Sequence, residues 1–383
     1  MEGEAVLSRL KNDSNTFIWL ILGHFLIFEL ILSDGSTTIS PMTICKNVQA
    51  LEAYTPGEQP KDPLIVKLNT NENPYPPSPK VGELLKTFDY ARLRLYPDPL
   101  FMALRMRLSE IHDCNINQVF IGNGSDEILA LCTRAFVENN GSIGYFEPSY
   151  SLYPVLADIR GVERRSVKLD ANFGWQMPGN YTASLFYITN PNAPTSMMHD
   201  KETVAAFCKS FDGAVLIDEA YGDFADTNCM DLALAEGNAN TLVMRTFSKS
   251  FSLAGLRFGY VVGPEPLIHA LYKIKDSYNM DMLAQAVALA ALSDLDTMRA
   301  NVQKIRATRA RLTQELTSRD WKVCPSQTNF LFARPPKGNA QEIFNALKQS
   351  KIYVRYFPGP ATGEFLRITI GTDEQTDKLL AAL

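Results

Sequence analysis

From residue 118 onward, short apolar runs alternate with longer stretches in which apolar and polar positions recur at helical spacing. The runs at 118–121, 142–146, 164–169, 184–189, 214–218, 241–245 and 257–263 predict strands. The stretches at 125–137, 151–159, 201–209 and 266–275 predict helices between them. Near-continuous apolar strands separated by helices predict a mostly parallel sheet buried on both faces, an α/β arrangement. After residue 295 the pattern changes to a long polar helix at 296–319. TNFLFAR (328–334), a helix at 340–349, YVRYF (353–357), FLRITIG (365–371) and a last helix follow, which predict a smaller α+β unit. Residues 42–80 are dense in proline and asparagine, and predict an extended arm laid over another surface. The expected layout is therefore an arm at 42–85 belonging to the smaller domain, a large domain at 86–295 and a small C-terminal domain at 296–383.

The first 41 residues stand apart. Positions 17–32 read FIWLILGHFLIFELIL, interrupted by His24 and Glu29 and preceded by Arg9 and Lys11. The run falls short of the ~20 apolar residues of a membrane helix. It has the basic start of a secretory signal but no clear small-residue cleavage site. Three readings stay open: a signal, a membrane anchor, or an extension upstream of a true start at Met42. The last is favoured, because everything after Met42 reads as complete in itself. Membrane contact is expected only if this segment is real, and otherwise the expected location is the cytoplasm.

Composition narrows the partners. The 383 residues are 46% hydrophobic, enough for a large core, and the formal charge of −5 argues against nucleic acid. Six cysteines form no C-x-x-C pair and four histidines are scattered, so neither a disulfide framework nor a metal site is expected. Small molecules and other proteins remain as partners.

Five motifs carry chemistry, each at a predicted strand end, where open α/β sheets bind ligands. RTFSKSFSLAGLRFGY (245–260) sets Lys249 among Ser248, Ser250, Ser252 and Gly255, with Arg257 eight residues on. An amine beside hydroxyls and a guanidinium suits an aldehyde cofactor with a phosphate tail. IDEAYGDF (217–224) ends an apolar strand on Asp218, a carboxylate that needs a cationic partner once buried. A protonated pyridine nitrogen supplies one, and Tyr221 stands three residues on. FIGNGSDEIL (120–129) turns through Gly124 into a helix opening at Ser125 and Asp126, either a phosphate site or a plain helix cap. FEPSYSLY (146–153) offers Tyr150 as a ring to stack on a flat cofactor, or as an ordinary core aromatic. ITNPNAPTS (188–196) sets amides and prolines after another strand.

In this order the motifs resemble fold-type I enzymes of the class I/II aminotransferase superfamily, which use pyridoxal 5′-phosphate. LNTNENPYPPSP, LRLYPDP, NFLFAR, VRYF and LRITIGT extend the resemblance from about residue 48 to the C-terminus, toward the histidinol-phosphate aminotransferase branch. The resemblance implies an aminotransferase of histidine biosynthesis that exchanges histidinol phosphate and imidazole acetol phosphate against glutamate and 2-oxoglutarate. It implies that Lys249 holds the cofactor as a Schiff base and shuttles the proton, that Asp218 pairs with the pyridinium, and that Tyr150 stacks on the ring. Tyr221 and Asn192 would bond the ring hydroxyl. Gly124, Ser125, Ser248 and Arg257 would cradle the phosphate, with Asp126 also at the cofactor, joined by Tyr96 of a second subunit in a homodimer. Arg367 would clamp the substrate carboxylate, while Arg355, Asn73 and Tyr75 would face the substrate side chain. Two positions depart from the family pattern: Ala193 stands where many relatives carry a second asparagine, and Ser196 where a glycine is usual. An aromatic aminotransferase or a threonine-phosphate decarboxylase would share these motifs, and an inactive cofactor-binding regulator would share most of them.

Overall fold

The computed structural model describes residues 43–51, 58–60, 62 and 64–383. Residues 1–51 and 52–383 are separate units, and the described part of the first is one helical turn, Lys46–Gln49. The apolar run at 17–32 lies outside the described residues. Among the described residues no helix is long and apolar enough to cross a membrane.

The second unit opens with β1 (Val66–Lys67) and is dominated by a seven-stranded sheet. Its strands are β2 (Val119–Gly122), β3 (Ser142–Glu147), β4 (Glu163–Lys168), β5 (Leu185–Thr189), β6 (Ala214–Asp218), β7 (Thr241–Thr246) and β8 (Gly259–Val262). Their spatial order is β2-β8-β7-β6-β5-β3-β4, and only β8 runs against its neighbours. Every residue of β2, β5 and β8 is buried, because helices cover both faces. The edge strand β4, ERRSVK, exposes most of its positions and carries charges, which discourages pairing with another chain.

A four-stranded antiparallel sheet follows in the chain: β9 (Lys322–Val323), β10 (Phe330–Arg334), β12 (Arg355–Tyr356) and β13 (Leu366–Thr369). The intervening β11 (Ile352–Tyr353) pairs in parallel with β1, so the residues read as an arm join this second sheet region. Leu68 O accepts from Thr369 N at 3.0 Å and extends that junction.

Besides the short turns Lys46–Gln49 and Met230–Leu234, three longer helices among the described residues escape the sequence pattern. Pro79–Thr87 begins inside the stretch read as extended, where Ser78 caps it and Pro79 takes the first helical position. Met282–Leu292 reads MLAQAVALAAL, apolar on nearly every side, so no polar face betrays its period. Met102–His112 has only a weak division into polar and apolar faces. The long helix Leu295–Ser318 forms as expected, its first turn capped by Asp294.

Candidate active site

The carboxyl ends of β5, β6 and β7 converge on one point. Parallel pairing sets Thr189 opposite Asp218 and Asp218 opposite Met244, so the loops after these strands open side by side. An inner cavity of about 140 Å³ lies there, lined by Ser125, Asp126, Tyr150, Asp218, Tyr221, Ser248, Lys249 and Arg257 among others. Five separate sequence motifs thus meet around one space, since Ala193 of the fifth also lines it.

Asp218 lies at the bottom of this cavity, 3% exposed. Burial pushes its carboxyl up and hydrogen bonds from Tyr153 and the Ala220 N–H pull it partly back, leaving it at about 6. Tyr153 Oη donates to Oδ2 at 3.0 Å and Ala220 N to Oδ1 at 3.0 Å. A buried carboxylate held ionised by two neutral donors is a ready partner for a cation entering the cavity.

Opposite Asp218 is a cradle for an anion. Gly124 opens the helix Gly124–Phe136 with φ +78°, and a Cβ there would meet an Arg257 guanidinium nitrogen at 2.7 Å. The backbone must also admit Gly259, whose Cβ would lie 2.9 Å from the Gly124 carbonyl carbon. Ser125 Oγ is buried without a hydrogen-bond partner among the described residues. Arg257 adopts φ 56°, in the left-handed region, and sends its guanidinium to Ser248 Oγ at 3.5 Å and Asp126 Oδ2 at 3.3 Å. An unpaired hydroxyl, free helix-start N–H groups and a guanidinium fit a phosphate. Asp126 is not the helix cap, which falls at Asn123; its carboxylate ties Arg257 to Tyr150 Oη, 3.1 Å away.

Lys249 lies between the inner cavity and an outer one of about 370 Å³, and lines both, as do Tyr150, Ala193 and Tyr221. Its Nζ reaches Thr70 O at 3.4 Å and stands 5.7 Å from the centre of the Tyr221 ring. Tyr221 Oη accepts from Asn71 Nδ2 at 2.9 Å, leaving its own proton for the cavity. The outer cavity is bordered by Arg355 and Arg367. They are directly opposed partners on β12 and β13, and both guanidinium carbons lie within 5.3 Å of the Phe357 ring centre. Like charges facing each other across a pair of strands destabilise it, a cost that an anionic ligand relieves.

Three expected site residues fall elsewhere, and Tyr96, expected at the phosphate of a second subunit, lies outside both cavities of its own chain. Asn192 lines neither cavity: its amide donates to Pro148 O at 3.1 Å and Thr195 Oγ1 at 2.9 Å, which spends it tying its own turn to the loop after β3. Its Oδ1 accepts from Ser149 Oγ, and a chain of contacts runs on through Thr189 and Tyr153 to Asp218. Asn73 donates to the carbonyls of Lys249 and Ser250 at 3.1 and 3.2 Å and so grips the lysine loop from behind. Tyr75 packs with the core of the smaller sheet, its ring 4.9 Å from Lys304 Nζ. Tyr96 is 79% exposed and stacks on Tyr278 outside both cavities. Sequence reasoning passed over Tyr153, although it closes the FEPSYSLY motif one helical turn after Tyr150. It also passed over Asn71, buried by contacts with Thr369 and Asn329, residues more than 250 positions away.

The likeness to known proteins follows the same outline. A protein from Syntrophotalea carbinolica named histidinol-phosphate aminotransferase is 44% identical over 342 residues, which cover 88% of this chain and 97% of that protein. One of the same name from Synechocystis is 40% identical over 343 residues, covering 89% and 97%. The crystal structure of histidinol-phosphate aminotransferase from Sinorhizobium meliloti in complex with pyridoxal-5′-phosphate has the same fold. It superposes with a TM-score of 0.81 at 24% identity, over 90% of this chain and 97% of that one. The profile of the family described as aminotransferase class I and II matches residues 63–383, which takes in both sheets and both cavities, and the chain belongs to that family.

Proposed function

We propose that this chain is a pyridoxal 5′-phosphate-dependent transaminase acting on histidinol phosphate, with 2-oxoglutarate as the second substrate. The observation that carries the reading is the convergence of Lys249, Asp218 and the Gly124–Arg257 cradle on one inner cavity, next to two opposed arginines in the outer one. The names of the relatives support the choice of substrate.

When bound, the cofactor supplies an aldehyde to carry the amino group and a cationic ring to accept the electron pair of the substrate Cα–H bond. Asp218 holds the proton on the ring nitrogen. The helix start at Gly124, with Ser125, Ser248 and Arg257, binds the phosphate. Tyr150 would pack against the ring, and Tyr221 would offer its hydroxyl proton to the ring oxygen. Asn192 acts through Ser149, Thr189 and Tyr153 on Asp218 rather than by touching the ring. The Lys249 amine takes the proton from the substrate Cα and redelivers it, as a positioned base and then acid. Arg367 binds the carboxylate of the amino or keto acid, and Arg355 the anionic end of the side chain. One cavity with two guanidiniums accommodates both the donor's phosphate and the acceptor's second carboxylate in turn.

A second subunit belongs to this reading. Tyr96 and, near it in the chain, Leu93, Leu95, Leu100, Met102 and Met106 all expose apolar side chains, surface that a copy of the same chain would cover. The two sheets would then mark a large cofactor-binding domain at 86–295 and a smaller one at 296–383 joined by the arm. All six cysteines are free thiols, which supports a cytoplasmic location.

The test is a donor screen with 2-oxoglutarate as acceptor. Histidinol phosphate should give the highest kcat/KM, above phenylalanine, tyrosine and threonine phosphate. Glutamate formed preferentially from phenylalanine or tyrosine would make the enzyme an aromatic transaminase, and CO2 release from threonine phosphate would make it a decarboxylase.

A further inference from the structure

The strand-end motif IDEAYGDF presents two faces. Asp218 and Tyr221 line the inner cavity, whereas Glu219 and Asp223 turn away from it and take hold of Arg245. Glu219 Oε2 accepts from Arg245 Nη2 at 2.8 Å and Nε at 3.1 Å, and Asp223 Oδ1 accepts from Nη1 at 3.0 Å. The Glu219 side chain is fully buried, and its other oxygen accepts from Cys229 N. The Asp223 carboxylate has a second oxygen, and Ser250 Oγ donates to it. Ser250 is 2% exposed and is the residue directly after Lys249.

Two carboxylates around one guanidinium leave the cluster one negative charge in excess. Glu219 alone would neutralise Arg245, so burial of that arginine does not require Asp223. The surplus charge makes the Ser250 hydrogen bond a charge-assisted one, stronger than a bond between neutral groups. It anchors the peptide after Lys249 at its side chain, while Asn73 holds the Lys249 and Ser250 carbonyls.

We propose that Ser250 is a positioning residue for Lys249. Its hydroxyl, gripped by an Asp223 that Arg245 fixes in place, sets the backbone from which the Lys249 amine projects into the cavity. The inference rests on the reading of Lys249 as the reactive amine. Proper placement of a reacting group is worth large factors in rate, and a shift well under an ångström is enough to lose part of it.

The test compares wild type, Ser250→Ala and Ser250→Thr, with three measurements on each. The first is the rate at which apoprotein couples pyridoxal phosphate, trapped with borohydride and located by mass spectrometry. The second is the separation of kcat from KM, and the third the melting temperature. Asp223 and Arg245 border a cavity of about 250 Å³, roomy enough for water to solvate the Asp223 carboxylate once the hydroxyl is gone, so the alanine variant is expected to fold. In Ser250→Ala, coupling at Lys249 and kcat should each fall roughly tenfold with KM and melting temperature nearly unchanged. Ser250→Thr, which keeps the hydroxyl, should recover most of both. Coupling and kcat at wild-type level in the alanine variant would overturn the proposal, as would a loss that tracks melting temperature or is not rescued by threonine. Failure of the underlying reading looks different: in wild type itself the borohydride label would not be found on Lys249.

Discussion

The inner and outer cavities share four lining residues but are built in opposite ways. The inner one is assembled from strand ends and the turns that follow them, so its groups lie inside compact motifs and on the most buried strands of the chain. The outer one is assembled from residues 69–71 and from Arg355, Phe357 and Arg367, nearly 300 positions away. Its integrity depends on bonds such as Arg367 Nη2 to Asn69 O, at 2.6 Å. The difference teaches that, on the proposed reading, the reactive groups rest on the stiff sheet and the substrate-recognising ones on a junction between distant segments. Changes to the first should affect all substrates alike, and changes to the second should discriminate among them.

The largest expected effect is that of Lys249→Ala, which should reduce transamination to background with every donor while the circular dichroism spectrum stays native. Next is Asp218→Asn, expected to lower kcat by at least ~100-fold across donors, measured by steady-state assay with cofactor still bound. The same variant has a stability signature in the apoprotein. Because burial raises the folded-state value from 3.8 to about 6, the contribution of Asp218 is fully present below 3.8 and is lost as pH rises through about 6. Asparagine carries no such charge, so denaturant unfolding above pH 6 should find the variant apoprotein more stable, by up to roughly 3 kcal/mol.

Smaller effects should sharpen the contrast. Arg355→Ala should cost roughly 10- to 100-fold in kcat/KM for a phosphorylated donor and much less for an uncharged one, with cofactor affinity unchanged. Equal losses for both donors would erase the division between the cavities. The smallest expected change is that of Tyr153→Phe. The Tyr153 hydrogen bond lowers the Asp218 value, so its removal should move the pH dependence of cofactor binding upward. The apoprotein should lose about 1 kcal/mol of stability near neutral pH. The groups facing Asp218 in that titration are Asp126, Tyr150, Tyr221, Lys249 and Arg257 around the cavity, with Tyr187 and Glu219 close behind.

The sequence by itself determined the strand-and-helix alternation, because a strand buried on both faces must be apolar along most of its length, as LFYI of β5, AVLI of β6 and LVM of β7 are. It also determined which residues gather at the inner cavity, because parallel strands deliver the residues at and just after their ends to one edge. Only the tertiary structure decided that Asn192 and Asn73 spend their amides on backbone carbonyls and that Tyr153 donates to Asp218. It alone set Glu219 and Asp223 on the far side of their motif. A side chain's hydrogen-bond partner depends on which distant segment folds against it, and neither periodicity nor local spacing carries that information.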